Sequence, residues 1–238
     1  MSKKIIVLAI ITFISVNAIA QTENTDGGSG ESKGFRFGLQ FSPQLCWLKN
    51  QDKLTNASGV KFGFNYGLLA DFSLAQRYAF ATGINISQNS ATIQYNDTIM
   101  FNSFKTDTFQ IGTKVSYSKI QYVEIPLVLK LKTNEIGYIT YFGQFGFNLG
   151  LSTGVKGSIS DPLNSTHNKV DEDLGADISP FNLSLNIGAG IEYSLSKSTA
   201  FVTSISFHNG FIDVSDSPKN FKTKSILNQV ELRLGILF

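Results

Sequence analysis

Eight segments of this chain alternate strictly between large apolar residues and small or polar ones, and this period of two constrains the fold more than any other feature of the sequence. Such alternation is typical of β-strands whose two faces meet chemically different surroundings. The alternating segments are 35–47, 60–73, 78–87, 122–132, 140–151, 181–193, 200–208 and 229–238. The sequence therefore predicts an all-β fold in which every strand has one apolar and one polar face.

The direction of the apolar face distinguishes a membrane barrel from a water-soluble, lipocalin-like barrel, which has the same period with its apolar side inward. No Asp, Glu, Lys or Arg occupies the apolar face of any segment, and a basic residue at the middle of a bilayer costs about 2–4 kcal/mol. The other face is rich in Gly, Ser and Asn and carries few charges, which suits the narrow interior of an eight-stranded barrel. Both observations indicate that the apolar side chains point outward into lipid.

The connections between the segments alternate in length. The short ones are 74–77, 133–137 and 196–198, and the longer, polar ones are 48–59, 88–119, 152–179 and 210–225. Outer-membrane barrels have short turns on the periplasmic side and longer loops on the extracellular side. We therefore predict an eight-stranded antiparallel transmembrane β-barrel in the cell outer membrane, with short periplasmic turns and longer extracellular loops.

The first twenty residues have the pattern of a secretory signal peptide. Lys3 and Lys4 give a basic start, residues 5–16 are apolar, and small residues precede a predicted cleavage between Ala20 and Gln21. The apolar stretch is shorter than the roughly 20 residues that a membrane-spanning helix needs. We therefore expect an exported protein whose signal peptide is removed.

The remaining chain divides into a leader and a barrel. Residues 21–33 are rich in Gly, Ser and acidic residues and are predicted to form a flexible periplasmic leader. The barrel is predicted to span 34–238 and to end on an outward-facing aromatic residue, Phe238. A terminal aromatic residue on a final amphipathic strand is the signal that the barrel-assembly machinery recognises in such proteins, so we expect that machinery to be a partner during biogenesis.

The composition excludes some classes of partner. Charged residues make up only 16% of the chain and aromatic residues 12%, whereas charged residues are about a quarter of a typical soluble domain. Without Lys3 and Lys4, the 20 basic residues fall to 18 and balance the 18 acidic ones. Nucleic-acid binding is not expected, because it needs a basic face. The single cysteine, Cys46, excludes an internal disulfide and is expected to be a small buried side chain.

Three stretches resemble a known family. The sequence QYVEIPLVLK at 121–130 is similar to a strand of the PorT-like outer membrane protein beta-barrel domain family, GAGIEY at 188–193 resembles another of its strands, and VELRLGILF at 230–238 resembles its closing strand. The resemblance covers roughly 34–238. It implies an outer-membrane location and, for the namesake of the family, a role near the type IX secretion apparatus.

Nine charged residues fall on the predicted lumen face of the strands. They are Arg36, Lys61, Asp71, Glu124, Lys130, Lys132, Glu192, Glu231 and Arg233. They could form a proton or ion path, or they could pair with one another and plug the barrel. We favour the plug, because charges in a narrow interior must pair or lose several kcal/mol, and we predict no stable conductance.

The histidines raise the possibility of a barrel lipase or acyltransferase. His208 falls on the lumen face near the long-loop end, with Ser204 and Ser206 on the same face and Asp213 nearby in sequence. Catalysis would need a placed nucleophile and base, which spacing alone does not provide. We therefore predict no catalytic, metal or cofactor-binding residues and no cofactor.

The sequence thus predicts a non-enzymatic, integral outer-membrane barrel. Its surface loops are expected to contact lipopolysaccharide or partner proteins of the envelope, in addition to the membrane lipid that surrounds it. The alternative is an accessory component of secretion, of the type IX kind, or of uptake machinery. A barrel enzyme is the third hypothesis.

Overall fold

The computed structural model describes residues 34–50, 54–57, 59–104, 107–216 and 224–238, so the predicted signal peptide, its cleavage site at Ala20 and Gln21, and the predicted leader lie outside the described residues. Eight long strands form the fold: β1 (Phe35–Asn50), β2 (Lys61–Ala75), β3 (Tyr78–Tyr95), β4 (Lys114–Lys132), β5 (Ile139–Ser160), β6 (Phe181–Ser194), β7 (Ala200–Gly210) and β8 (Ser225–Leu237). Within the described residues, no helix is both long enough and apolar enough to cross a membrane.

The eight strands close into an antiparallel barrel. Each strand pairs with the next one in the chain, and β8 pairs with β1 from Gly38–Leu237 to Asn50–Ser225. Closure satisfies the backbone N–H and C=O groups that an open edge would leave without partners in lipid. The predicted eight-stranded barrel is confirmed.

The two faces of the strands have opposite chemistry, as the alternation predicted. Outward apolar side chains are exposed, for example Phe62 at 73% and Leu68 at 55%. Alternate residues such as Gln40, Asn65 and Asn186 are buried in the lumen. The outward face provides the lipid-contacting wall of the barrel.

Exposed tyrosines lie at the short-turn end of the barrel, on β3, β5 and β6 and in the turn between β4 and β5. Tyr78, Tyr138, Tyr141 and Tyr193 are all exposed there, and the rings of Tyr138 and Tyr193 lie 6.3 Å apart. Rings of aromatic residues are typical of the boundary between the hydrocarbon and water in outer-membrane barrels. The tyrosines therefore locate one edge of the membrane-spanning band.

Some lumen glycines are required by the close approach of neighbouring strands. A Cβ at Gly67 would collide with the carbonyl oxygen of Ile84, and a Cβ at Gly146 would collide with that of Leu127. Because these contacts are with backbone atoms, no side-chain movement can relieve them. The glycine-rich lumen face therefore permits a narrow barrel.

The long connections differ from the prediction, because three strands continue beyond the membrane-spanning band. We expected polar loops at 88–119 and 152–179, but β3 runs to Tyr95, β4 begins at Lys114 and β5 runs to Ser160. Short strands at Thr55–Ala57 and Lys169–Asp173 pair with β3 and β5, and Ile99–Met100 pairs with Thr108–Phe109. The remaining short elements are 3-10 helices at Ser165–His167 and Gly175–Asp177.

Bulges explain why this extension escaped prediction. The pairing of β4 with β5 shifts between Gln121 and Tyr122 and again between Tyr117 and Lys119. A bulge adds one residue to a strand and so changes which residues face inward. Above the bulges Val115 and Tyr117 point inward, so the wall is apolar inside and polar outside, the reverse of the membrane-spanning part.

Candidate functional site

Five of the nine predicted lumen charges meet near the short-turn end of the barrel. Lys130 Nζ lies 2.7 Å from Asp71 Oδ2, Arg36 Nη2 lies 2.7 Å from Glu192 Oε2, and Lys132 Nζ lies 2.9 Å from Glu192 Oε1. These residues come from β1, β2, β4 and β6, so the barrel brings together side chains that are far apart in sequence. We call Arg36, Asp71, Lys130, Lys132 and Glu192 the five-charge cluster.

The five-charge cluster is a coupled network rather than a set of separate pairs. Asp71 lies within 3.9 Å of all three cations, and so does Glu192. Lys130 also lies over the ring of Phe142, 4.9 Å from its centroid. Charges withdrawn from water in this way are stable only when they are paired. The cluster therefore fills the lumen near its short-turn mouth.

A second group of charges lies deeper in the lumen. Glu231 Oε1 lies 3.2 Å from Arg233 Nε, and Glu231 Oε2 lies 3.4 Å from His208 Nε2. The side-chain amide of Asn148 lies 2.8 Å from His208 Nδ1, while Asn148 Oδ1 accepts a hydrogen bond from Asn186. The amide nitrogen of Asn148 therefore donates to Nδ1, which leaves the proton of a neutral ring on Nε2, facing Glu231.

Amide and hydroxyl side chains occupy the remaining space around this group. Gln144 donates to Asn186 at 3.2 Å and to Ser206 at 3.0 Å, and on the opposite wall Gln44 donates to Asn89 at 2.9 Å. Glu124 is buried on β4 with Ser87 as its hydrogen-bond partner. These contacts hold the polar lumen side chains against one another, as an eight-stranded interior requires.

Lys61 is a correction to the predicted lumen set. It is the first residue of β2, at the long-loop end, and it is exposed. The period of two fixes the face of a residue but not its height, and at the end of a strand the lumen face opens to solvent. The other eight predicted residues lie in the lumen, four of them basic and four acidic.

Among the described residues, no serine hydroxyl or other nucleophile is hydrogen-bonded to His208. The side chain is only 2% exposed, and its contacts are with Asn148 and Glu231. The hydroxyl of Ser206 accepts from Gln144 instead. A substrate would have to displace buried neighbours to reach the imidazole.

Phe238 and Cys46, which the sequence analysis singled out, lie on opposite faces of the barrel wall. Phe238 follows β8 and faces outward, where its ring lies 5.7 Å from that of Phe37 and its N–H donates to the Phe37 carbonyl. Cys46 is fully buried at the long-loop end, with its Sγ 3.1 Å from Asn89 Oδ1. The closing strand thus ends on an aromatic residue at the barrel surface.

A hydrophobic core closes the long-loop end of the barrel. We call it the outer cap, and it consists of the buried residues Cys46, Leu48, Ala91, Ile93, Tyr95, Ile99, Phe101, Phe109, Val115, Tyr117, Ile120, Tyr122, Val155, Ile159, Leu174, Ile178, Val214 and Leu227. The rings of Phe101 and Phe109 pack edge to face with centroids 5.1 Å apart. This core occupies the barrel interior at the long-loop end, where side chains from the strands and from the long connections pack together.

Asp177 joins three loops of the outer cap. Its carboxylate accepts hydrogen bonds from the N–H of Asn102 at 2.6 Å and from the hydroxyl of Ser103 at 2.6 Å. Its own carbonyl accepts from the N–H of Asp216 at 2.9 Å. Burial raises the pKa of the Asp177 carboxyl, although the donors from Ser103 and Asn102 act in the other direction. Asp177 therefore fixes the relative positions of these loops.

A second carboxylate orders the tip of the cap. Asp161 accepts hydrogen bonds from the backbone N–H groups of Gln110, Leu163 and Asn164, at 3.0–3.2 Å. Burial alone would raise the pKa of Asp161, but these donors outweigh it and hold the pKa below its usual value. The long connections are thus bonded to one another by fixed groups.

Sequence reasoning missed the outer cap, although a signal for it exists. Residues 91–95 and 115–117 each continue the period of two with apolar residues. The polar residues around 118–121 separate Val115 and Tyr117 from the alternating segment at 122–132, and the bulge there turns them inward. Reading each side of the break as a separate strand would have predicted the extension.

Comparison with known families identifies the class of protein. A sequence model described as "Outer membrane protein beta-barrel domain" matches residues 19–216. The chain belongs to this family. As a member of the outer membrane protein beta-barrel domain family, it is an integral protein of the outer membrane, with its short turns in the periplasm and its outer cap outside the cell.

Solved outer-membrane barrels are similar at low identity. Neisserial surface protein A is 13% identical, with 84% of this chain and 95% of that chain covered and a TM-score of 0.44. Ail of Yersinia pestis is 14% identical (85% and 98% covered, TM-score 0.39), and OprG of Pseudomonas aeruginosa is 10% identical (85% and 93% covered, TM-score 0.41). Comparison with curated proteins gives no match. The fold assignment therefore rests on the closed strand pairing and the family.

Proposed function

We propose that this protein is a non-conducting, non-enzymatic barrel that anchors a rigid extracellular surface, and that this surface contacts lipopolysaccharide or a protein of the envelope. The observation that supports the proposal is the presence of packed side chains at both ends of the lumen. The five-charge cluster fills the periplasmic end, and the outer cap covers the extracellular end.

The two seals argue against solute transport. An aqueous path needs a continuous column of water, but the lumen between the seals is occupied by paired charges and amides. Opening the cap would expose a hydrophobic core to water, which is unfavourable by roughly 25 cal/mol per Å² of apolar surface. The proposed function is therefore one of surface contact rather than conduction.

The chemistry of the lumen argues against an enzyme. General acid–base catalysis requires a titratable group within hydrogen-bond reach of a substrate. His208, the residue that raised the enzyme hypothesis, is enclosed by lumen side chains. A lipid A modification assay on the wild type and on His208→Ala tests this point, and activity that depends on His208 would overturn it.

Planar-bilayer recordings test the absence of conduction. The wild type, Glu192→Gln in the five-charge cluster and Tyr117→Ala in the outer cap should all show no stable conductance steps, because each single change leaves the other seal in place. The double variant Glu192→Gln/Tyr117→Ala changes both ends of the lumen, and its conductance reports whether each end alone is enough to block the path. Reproducible open-channel steps from the wild type would refute the proposal.

The proposed contacts are tested by purification from outer membranes in mild detergent, followed by analysis of bound lipid and protein. Lipopolysaccharide or an envelope protein held in a fixed ratio would support them, and their absence would contradict them. A stable complex with a secretion component would instead favour the alternative prediction of an accessory role, to which the resemblance to PorT points.

Recognition of Phe238 by the barrel-assembly machinery is part of the proposal. Phe238→Ser should lower the amount of folded barrel in membranes while leaving refolding of the purified protein in detergent unchanged, because the side chain makes only surface contacts. Equal assembly of the two proteins in cells would contradict it.

A further inference from the structure

Gly150 on β5 is the least crowded glycine of the lumen wall. A Cβ at most lumen glycines would clash with a neighbour, as at Gly146, where it would lie 2.1 Å from the carbonyl oxygen of Leu127. At Gly150 the nearest atoms would be Asn182 Cβ and Tyr122 Cδ1, both at 3.4 Å, which is ordinary van der Waals contact. Among the lumen glycines of the described residues, only Gly150 thus leaves room for a group the size of a methyl or a water molecule.

Both side chains next to this space have an oxygen without a partner. The hydroxyl of Tyr122 and Oδ1 of Asn182 are buried and make no hydrogen bond within the part of the chain that the structure describes. A buried polar atom without a partner is destabilising, and in native proteins such atoms are nearly always bonded to protein or to ordered water. The surroundings of Gly150 therefore call for a small group that forms hydrogen bonds.

A buried carboxylate lies on the other side of the same space. Gly150 is paired with Asn182 on β6 and with Glu124 on β4. Glu124 is a hydrogen-bond partner of Ser87 but forms no ion pair with any described residue. The guanidinium of Arg233 pairs with Glu231 instead. A carboxylate that is withdrawn from bulk water needs hydrogen-bond donors, and the space at Gly150 is where they could be supplied.

We propose that ordered water is bound in the lumen over Gly150, where it donates hydrogen bonds to Glu124 and to Asn182 Oδ1 and accepts one from the Tyr122 hydroxyl. Water matches this set because it both donates and accepts, and a buried water typically makes about three hydrogen bonds. A proton on Glu124 could satisfy only one of the other two groups. This inference goes beyond the proposed function and does not depend on it.

Nuclear Overhauser effects from water to glycine α-protons, recorded on the full barrel in perdeuterated detergent, test the site directly. Gly146 lies on the same strand and the same face as Gly150, so it is the matched control. We expect a water cross-peak at Gly150 and none at Gly146, where backbone atoms of the neighbouring strand fill the space.

Gly150→Ala tests whether the water can be displaced. Its methyl group fits without a short contact, so the barrel should fold, as heat-modifiable migration on gels would show. The number of long-lived waters, measured by magnetic relaxation dispersion, should fall relative to the wild type. Gly143→Ala on the outward face of β5, where nothing lies within 4 Å of the added Cβ, should leave that number unchanged.

The direction of the stability change in Tyr122→Phe is a second test. If the hydroxyl binds water, its removal deletes a hydrogen bond and should lower the urea midpoint of unfolding. If the hydroxyl has no partner, its removal relieves a destabilising group and should raise the midpoint.

Four results would overturn the inference. They are the absence of a water cross-peak at Gly150, an unchanged number of long-lived waters in Gly150→Ala, a raised urea midpoint in Tyr122→Phe, and a salt effect that identifies a cation as the ligand. The salt effect would be stabilisation of the wild type by sodium chloride over choline chloride that is lost in Glu124→Gln.

Discussion

Neutralising Glu192 should be one of the most destabilising single changes in the lumen. The five-charge cluster contains three cations and two carboxylates, so its charge is +1, and Glu192→Gln raises it to +2 with only Asp71 left as a partner. Breaking a buried ion pair costs about 3–5 kcal/mol. Arg36 and Lys132 keep 14% and 12% exposure of their side chains, so we expect the lower end, about 3 kcal/mol.

The net charge of the cluster predicts that removing an anion costs more stability than removing a cation. A simple loss of contacts would not predict this difference. Lys132→Gln brings the cluster to neutrality, and its expected cost is about 1 kcal/mol or less. The double variant Glu192→Gln/Lys132→Gln returns the charge to +1, so it should be more stable than Glu192→Gln alone, with a coupling energy of at least about 1 kcal/mol. Glu135→Gln in an exposed turn is the control and should change stability by less than about 0.5 kcal/mol.

Urea titration in lipid vesicles, followed by the mobility of unheated samples on gels, measures these free energies of unfolding. Equal costs for Glu192→Gln and Lys132→Gln, with additive effects in the double variant, would refute the coupled network. If Glu192→Gln lowered the free energy of unfolding by less than about 1 kcal/mol, water rather than the cluster would be solvating these charges.

Three further predictions concern the wall and the cap. Leu127→Arg, at the middle of the outward face, should cost about 2–4 kcal/mol in the same urea titration, whereas Gln121→Arg above the apolar band should cost little. Tyr117→Ala should cost the cap about 3–5 kcal/mol by leaving a cavity, seen as faster hydrogen exchange in the cap but not in the membrane-spanning strands. The low pKa of Asp161 means that its stabilisation is present above the unfolded-state value of about 4 and is lost as the pH falls through the folded-state value. Protease protection of the cap should therefore fall in acid, and it should fall less in Asp161→Asn. The raised pKa of Asp177 has the opposite effect on stability in acid, because the folded state then binds the proton more tightly.

The membrane-spanning part could be predicted because lipid imposes a rule on every second residue. Any charge at an outward position such as Leu127 or Phe147 would be penalised, so the period of two in the sequence records the solvent around the barrel. The same rule predicted that the last strand closes the barrel, since a barrel in lipid cannot have a free edge. Eight strands and their faces follow from this one constraint.

The partners within the lumen could not be predicted, because alternation gives the face of a residue and not its height. Lys130 and Lys132 are neighbours on the lumen face of β4, yet their common partner Glu192 comes from β6, and only the stagger of the strands brings them level. Lys61 shows the converse, because it has the correct face but lies beyond the enclosed part of the lumen. Height depends on the register of all eight strands together.

The outer cap shows how one strand can pass from the lipid into the water above the membrane. In the membrane β4 presents Val123 and Leu127 outward, and above the bulges it presents Tyr117 inward and Ser116 outward. A wall that kept its apolar residues outside above the lipid would expose them to water, so the change of phase is required wherever a barrel extends beyond the membrane. The same change provides the apolar residues that close the mouth.

The two seals therefore differ in physical nature, and this bears on function. The periplasmic seal is ionic and consists of charges that must remain paired, whereas the extracellular seal is hydrophobic and is held by Asp177 across three loops. A transporter would need a ligand or signal that opens both, and a ligand can shift a conformational equilibrium only by its difference in affinity for the two states. A ligand bound to the outer surface of the barrel wall would contact neither the Asp177 loops nor the five-charge cluster. Its binding energy is therefore available for attachment to the outer leaflet and not for opening a path through the lumen.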